Sequence, residues 1–338
     1  MRARPVHAFT LIELMVAAGL TALLAGCILA VCSHMLAAWS RSTGLFSAEA
    51  EARIVLDQLA LDLQSAIYRD DGHVWLAATV LDGTSNSGLW VESPRQKPGG
   101  GSSGSLRLNA ANPREDRYGG AGIWLRFFTA TRAENDARLT DDPDGPVSSP
   151  VAVAYQIIRR RPGANPASMD QRYLLHRSVA RPAESGGRPG TIETGFNLDP
   201  AIAAGYAQAD SANDGTWLGD PFGVITPDNP GCVLAENVVD FGIRLYRRAA
   251  GGGLTRIFPL DENDRDHSAM APAASPDASV CFPEVADVLV RVLTGEGVRQ
   301  VASLESPAGK AGGRPAQYRS DADWWWGIVE ANSRVFTR

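Results

Sequence analysis

From residue 14 to residue 40 the chain runs for 27 positions with no Asp, Glu, Lys or Arg, and so long an apolar run leaves few folds open to it. As a helix, its core at 14–33 is about 30 Å long, enough to cross the hydrocarbon layer of a bilayer. A buried core helix is usually shorter and rarely follows a basic N-terminus. Arg2, Arg4 and His7 stand before the run, and no comparable basic cluster follows it at once. That asymmetry predicts a single span with the short end cytoplasmic and the bulk of the chain outside. A cleaved secretory signal has an apolar core of only about 7–15 residues, so the helix is expected to be retained.

Beyond the span, Leu45, Ala48, Ala52, Leu56, Leu59, Leu63 and Ala66 recur at steps of three and four. This spacing makes one apolar stripe on a helix, with Glu49, Arg53, Asp57 and Asp62 off the stripe. The helix is expected to end at Asp70-Asp71-Gly72, and its second half to pack on the protein's own sheet. From residue 72 onward the signal changes to short strand-like runs between Gly, Pro, Ser and Asp clusters. Candidate strands are 88–92, 105–109, 121–129, 151–159, 172–179, 238–246, 287–293 and 333–337. Val151, Val153, Tyr155 and Ile157 alternate onto one face, as do Phe241, Ile243 and Leu245, which predicts a one-sided antiparallel sheet. The connections at 97–104, 181–190, 205–231, 261–280 and 305–317 are expected to be polar surface loops. With 34 Gly and 21 Pro in 338 residues, a loop-rich β head fits. The expected class is α+β: a long N-terminal helix, transmembrane and then amphipathic, packed on a mostly antiparallel β head.

Several kinds of chemistry find no foothold. The 32 basic against 38 acidic residues give a net charge of −6, which opposes affinity for nucleic acid through counterion release. Gly100-Gly101-Ser102-Ser103-Gly104 matches Gly-x-Ser-x-Gly, but its flanks lack the buried strand and helix of a nucleophile elbow. His73, His176 and His267 are far apart in sequence, with no two at metal-ligand spacing. The run 261–266 begins like a calcium loop, yet Asp266 stands where the EF-hand needs Gly and Arg265 where it needs a ligand. No catalytic residue, metal or cofactor is therefore expected. Trp324-Trp325-Trp326 reads either as core or edge packing or as a partner surface. Cys27 and Cys32, within the apolar run, read as small apolar residues.

The string Ala8-Phe9-Thr10-Leu11-Ile12-Glu13-Leu14-Met15 resembles the processing motif of type IV prepilins and type II secretion pseudopilins. The resemblance implies that a prepilin peptidase cuts after Ala8, where the family usually has Gly, and methylates the new amine of Phe9. It also implies that Glu13, the fifth mature residue, pairs with the N-terminal amine of a neighbouring subunit. A carboxylate beside an apolar span needs such a cation; the alternative is that it snorkels to the headgroups. Within the head, residues 153–157 followed by 172–177 resemble the tyrosine-containing strand and Leu-x-Arg strand of J-type minor pseudopilins. Residues 234–241 and 282–290 are similar to two further core strands of that family, and the closing 332–338 is similar to pilin-like cassette proteins of environmental bacteria.

The resemblance implies a leader at 1–8, a transmembrane segment at 9–40, an amphipathic continuation at 41–71 and a periplasmic or extracellular head at 72–338. The chain would be an inner-membrane, single-pass subunit that initiates or caps a pseudopilus or pilus-like filament. Its partners would be a prepilin peptidase, other pilin or pseudopilin subunits and the inner membrane, with no nucleic acid. The competing reading rests on Leu24-Ala25-Gly26-Cys27, which resembles a lipoprotein signal and would make a binding or adhesive lipoprotein anchored through Cys27. An enzyme riding on a pilin stalk is the third class. Cys232 and Cys281, the only cysteines outside the apolar run, border inferred core strands and are expected to pair in an oxidising compartment; two free buried thiols are the alternative.

Overall fold

The computed structural model describes residues 10–80, 123–130, 151–160, 172–180, 198, 233–249, 251–260, 264, 266–305, 313–319 and 321–338. Its contacts divide it into two units, up to Phe46 and from Ser47 onward. Helix α1 (Leu11–Gln64) supplies the described part of the first unit and opens the second.

The described part of the first unit is Thr10 and α1 as far as Phe46, and its large apolar side chains are exposed among the described residues. Leu11, Ile12, Leu14, Met15, Leu20, Leu24, Ile28, Leu29, Leu36 and Trp39 are all exposed. The stretch from Leu11 to Leu36 is long and apolar enough to cross a membrane.

The second unit holds the strands β1 (Leu76–Val80), β2 (Ile123–Thr129), β3 (Val151–Arg160), β4 (Arg172–Ala180), β5 (Val233–Glu236), β6 (Val238–Arg248), β7 (Leu254–Phe258), β8 (Asp266–Ala269), β9 (Val285–Leu293) and β10 (Ser333–Thr337), with helices α2 (Gly295–Glu305) and α3 (Asp321–Ala331). They form a six-stranded sheet in the order β5-β4-β3-β2-β1-β8 and a four-stranded sheet in the order β10-β9-β6-β7. Every strand pairing is antiparallel. The expected α+β class therefore holds.

The chain passes from one sheet to the other at Asn237, whose positive φ of 61° is a left-handed turn that Asn tolerates better than most residues. Its carbonyl accepts from Leu293 N at 2.9 Å, which fastens the crossing point to β9.

The main core lies where the second half of α1 and the four-stranded sheet meet the inner face of the six-stranded one. Val153, Tyr155 and Ile157 from β3, Phe241 and Ile243 from β6, Val290 from β9 and Ala52, Val55 and Leu59 from α1 are all buried there. The Tyr155 ring lies 6.3 Å from both Phe127 and Phe241, so it touches both sheets.

Four expectations need correction. First, α1 stops at Gln64 and not at residue 71. Residues 65–67 leave the helix to pair with the end of β2, through Ala130 N to Ser65 O at 2.9 Å and Ile67 N to Phe128 O at 2.9 Å. Second, the six-stranded sheet is not one-sided. Its outer face carries a second buried cluster of Trp75, Trp124, Phe128, Ala152, Ala154, Leu174 and Leu198, so β1 and β2 are buried along their whole length. Third, part of the expected loop 261–280 is strand β8, paired with β1. Fourth, Asp62 is not off the buried stripe; it is 1% exposed. The candidate strands 88–92 and 105–109, and the loops 97–104, 181–190 and 205–231, lie outside the described residues.

Candidate functional site

The N-terminal segment carries the residues that the sequence singled out. Ala8 and Phe9 lie outside the described residues. Glu13 sits in the first turn of α1 and forms a capping box with Thr10. Thr10 N and Thr10 Oγ1 both donate to Glu13 Oε2, at 2.9 and 3.0 Å, and Glu13 N donates back to Thr10 Oγ1 at 3.3 Å. The sequence carries this signal as Thr-x-x-Glu ahead of an apolar run, and the reading of Glu13 as a bare carboxylate missed it. Both bonds go to the same oxygen. That oxygen holds the helix start, and among the described residues Oε1 takes no hydrogen bond.

Cys27 and Cys32 are exposed free thiols in the same helix, and the apolar run goes on past them through Ile28, Leu29, Val31, Met35 and Leu36. Cys281 is buried and has no disulfide partner among the described residues. Its Sγ donates to the carbonyl of Asp277 at 2.9 Å, and Arg247 Nη1 approaches it at 3.5 Å. Cys232 lies outside the described residues, so the pairing of the two is not described.

Of the two readings of the tryptophan triplet, the burial fits core packing. The triplet lies on α3, and Trp325 and Trp326 are buried. Trp325 meets Tyr173 edge-on at 5.8 Å and Trp326 at 5.0 Å, while the Arg291 guanidinium lies 5.9 Å from the Trp326 ring. Only Trp324 is half-exposed, stacked on Tyr318 at 6.4 Å. Successive helix residues point about 100° apart, yet a helix set between sheet edge and α2 still buries two of the three.

A polar cluster missed by the sequence reading sits between α1 and the inner face of the six-stranded sheet. Arg177 on β4 grips Asp62 with a fork, Nε to Oδ2 at 2.8 Å and Nη2 to Oδ1 at 3.0 Å. Tyr155 on β3 donates to Asp62 Oδ2 through a short bond and accepts from Arg177 Nε at 3.0 Å. Gln58 Nε2 reaches Oδ1 at 3.1 Å from one helical turn away, and Thr129 Oγ1 donates to the Asp62 carbonyl at 2.8 Å. Burial raises the Tyr155 hydroxyl well above its ordinary pKa, against the pull of the Arg177 charge, so it remains a donor. Burial opposes the charge of Arg177, but its bonds to Asp62 and the neighbouring negative charge more than offset that, and its pKa is raised. The cluster ties α1 to β3 and β4 through charge-assisted bonds, and so it positions the helix.

Of the histidines beyond the apolar run, His73 is exposed while His176 and His267 are buried. His267 Nε2 bonds to the Cys281 carbonyl at 2.8 Å, and its ring lies 5.9 Å from Phe258. Asp264, from the acidic run, accepts from Leu260 N at 2.6 Å. Among the described residues, no group of three or more His, Cys, Asp or Glu side chains is placed to hold a metal. Compared with protein-family models, curated proteins and solved structures, the chain matches none.

Proposed function

We propose that the chain is a structural subunit of the pilin type, cut after Ala8, methylated on Phe9 and held in the inner membrane by α1 with its N-terminus cytoplasmic. It assembles with related subunits at the start or cap of a pseudopilus or pilus-like filament and performs no catalysis. The observation that carries the reading is Glu13. Its Oε2 accepts from Thr10 N and Oγ1 at the start of the apolar helix. A carboxylate there is costly without a cation, and the ammonium of a neighbouring chain would supply one. The exposed apolar face from Leu11 to Leu36 supports membrane insertion first and helix-to-helix packing afterwards.

The test is co-expression of the full chain with a prepilin peptidase, followed by intact mass. The expected product begins at Phe9 and carries one added methyl. A mature chain beginning with lipidated Cys27 would replace this reading with the lipoprotein one. Glu13→Gln keeps a capping acceptor but removes the charge; it should insert and be cut normally while crosslinking to partner subunits falls at least tenfold.

A further inference from the structure

β5 and β8 are the two edges of the six-stranded sheet, and each adjoins one cysteine of the head. Cys232 is covalently bonded to Val233, the first residue of β5, so its Cα is about 3.8 Å from that of Val233. Cys281 bridges to Ala271, just past the end of β8. The strand register fixes how far apart these two places are. One row crosses the sheet residue against residue, through Arg177 on β4, Tyr155 on β3, Leu125 on β2, Ala78 on β1 and His267 on β8. Val233 stands opposite His176, just to one side of the row, and Ala271 lies beyond His267 on the other side. At about 4.8 Å between strands and about 3.3 Å per residue along them, the separation is about 24 Å across the sheet and about 16 Å along it. A disulfide needs Cα atoms within about 7 Å of each other. The sheet is open in its strand order, and α1 and the four-stranded sheet pack on its inner face, so its edges do not roll together.

Cys281 has another use where it stands. It is fully buried, in a turn whose backbone closes through Met270 N and Ala271 N to Val280 O, at 3.0 and 2.9 Å, and Phe282 N to Ala271 O at 2.8 Å. Its Sγ donates to the carbonyl of Asp277 at 2.9 Å, and the Asp277 side chain in turn accepts from Ser279 N at 3.0 Å. From the end of β6, Arg247 Nη1 holds the same turn by the Ser275 carbonyl at 2.6 Å and lies 3.5 Å from the sulfur. We infer that Cys281 does not bridge to Cys232 and is kept as a thiol, the donor that closes the 270–282 turn against β6. Oxidation to a disulfide would remove the proton that the Asp277 carbonyl receives, and a buried acceptor left without its donor is costly. The inference rests on the register and contacts of the head and does not depend on the pilin reading.

The experiment uses the full chain in detergent, equilibrated with oxidised and reduced glutathione at a ratio that favours protein disulfides. The sample is quenched with acid and alkylated in denaturant, before and after reduction, and peptide masses assign each thiol. The expected result is a monomeric chain in which Cys281 is alkylated without reduction and no peptide pair joins it to Cys232. A Cys232–Cys281 pair would overturn the proposal, and so would a Cys281 that is alkylated only after reduction. Two variants test the donor role. Cys281→Ala removes the S–H and should lower the melting temperature by about 2–4 °C, whereas Cys281→Ser keeps a donor and should lower it by less. An unchanged melt for Cys281→Ala, or a fall at least as large for Cys281→Ser, would overturn that role.

Discussion

Asp62 belongs to one face by its spacing along the sequence and to another in the fold. Counted on a helical wheel it belongs with Glu49, Arg53 and Asp57 on the solvent side; in the fold it is the acidic partner of a buried fork. Removing it alone should be severe. Asp62→Ala leaves Arg177 buried without its anion and Tyr155 without its acceptor, and a loss of about 3–5 kcal/mol in unfolding free energy is expected by denaturant titration. His267 gives a pH signature at the same scale. Burial lowers its pKa, against the bond to the Cys281 carbonyl and the nearby Asp264 charge. The unfolded chain, with His near its ordinary value of about 6.5, therefore binds the proton first as pH falls. Stability should decline as the pH drops through about 6.5, with a slope of at most about 1.4 kcal/mol per pH unit, and level off below the folded pKa. His267→Gln should flatten that part of the stability curve, as thermal melts across pH 5–8 will show.

At the level of elements, the short helices were the hardest to read. α2 opens with Gly295-Glu296-Gly297, which looks like a loop, and α3 packs three tryptophans side by side followed by Gly327, which hides any period of 3.6. They belong together in space. Thr294 Oγ1 caps the start of α2 through Gly297 N at 3.3 Å and also donates to the Asn332 carbonyl at 3.0 Å, while Asn332 Nδ2 reaches Gln300 at 3.0 Å. Gly297 is required by this closeness, since a Cβ there would lie 2.5 Å from the Asn332 carbonyl oxygen. Gly297→Ala should cost about 1–3 kcal/mol, a core overpacking effect readable as a lowered melting temperature. By contrast β3, β4, β6, β9 and β10 were legible, because Val, Ile, Tyr and Phe alternate along them and the periods of strands are short. β8 was not: Asp266-His267-Ser268-Ala269 has no apolar run, and only its pairing with β1 makes it a strand. At the N-terminal site the apolar span and Glu13 were legible. The capping box with Thr10 is equally present in the sequence, as Thr-x-x-Glu, but it is a local signal that says nothing of a distant cation. The Asp62 cluster was illegible for a different reason: its members lie 93 and 115 residues apart, and nothing local announces them.

On the scale of the whole molecule, β10 is fastened to α1. It is an edge strand on β9, and Arg338 N donates to Val288 O at 3.1 Å. The Arg338 guanidinium engages the Asp57 carboxylate, while its Nη1 also reaches the Leu56 carbonyl at 3.5 Å. Deleting residues 333–338 should expose the β9 edge and uncover Phe336's site against the core, and we expect a truncated head that melts at lower temperature and is cut by protease at concentrations the full chain resists. The clasp spans 281 positions of chain, so β10 and the second half of α1 are fastened to each other rather than each to its sequence neighbours, and a protease cut in the chain between them would loosen both.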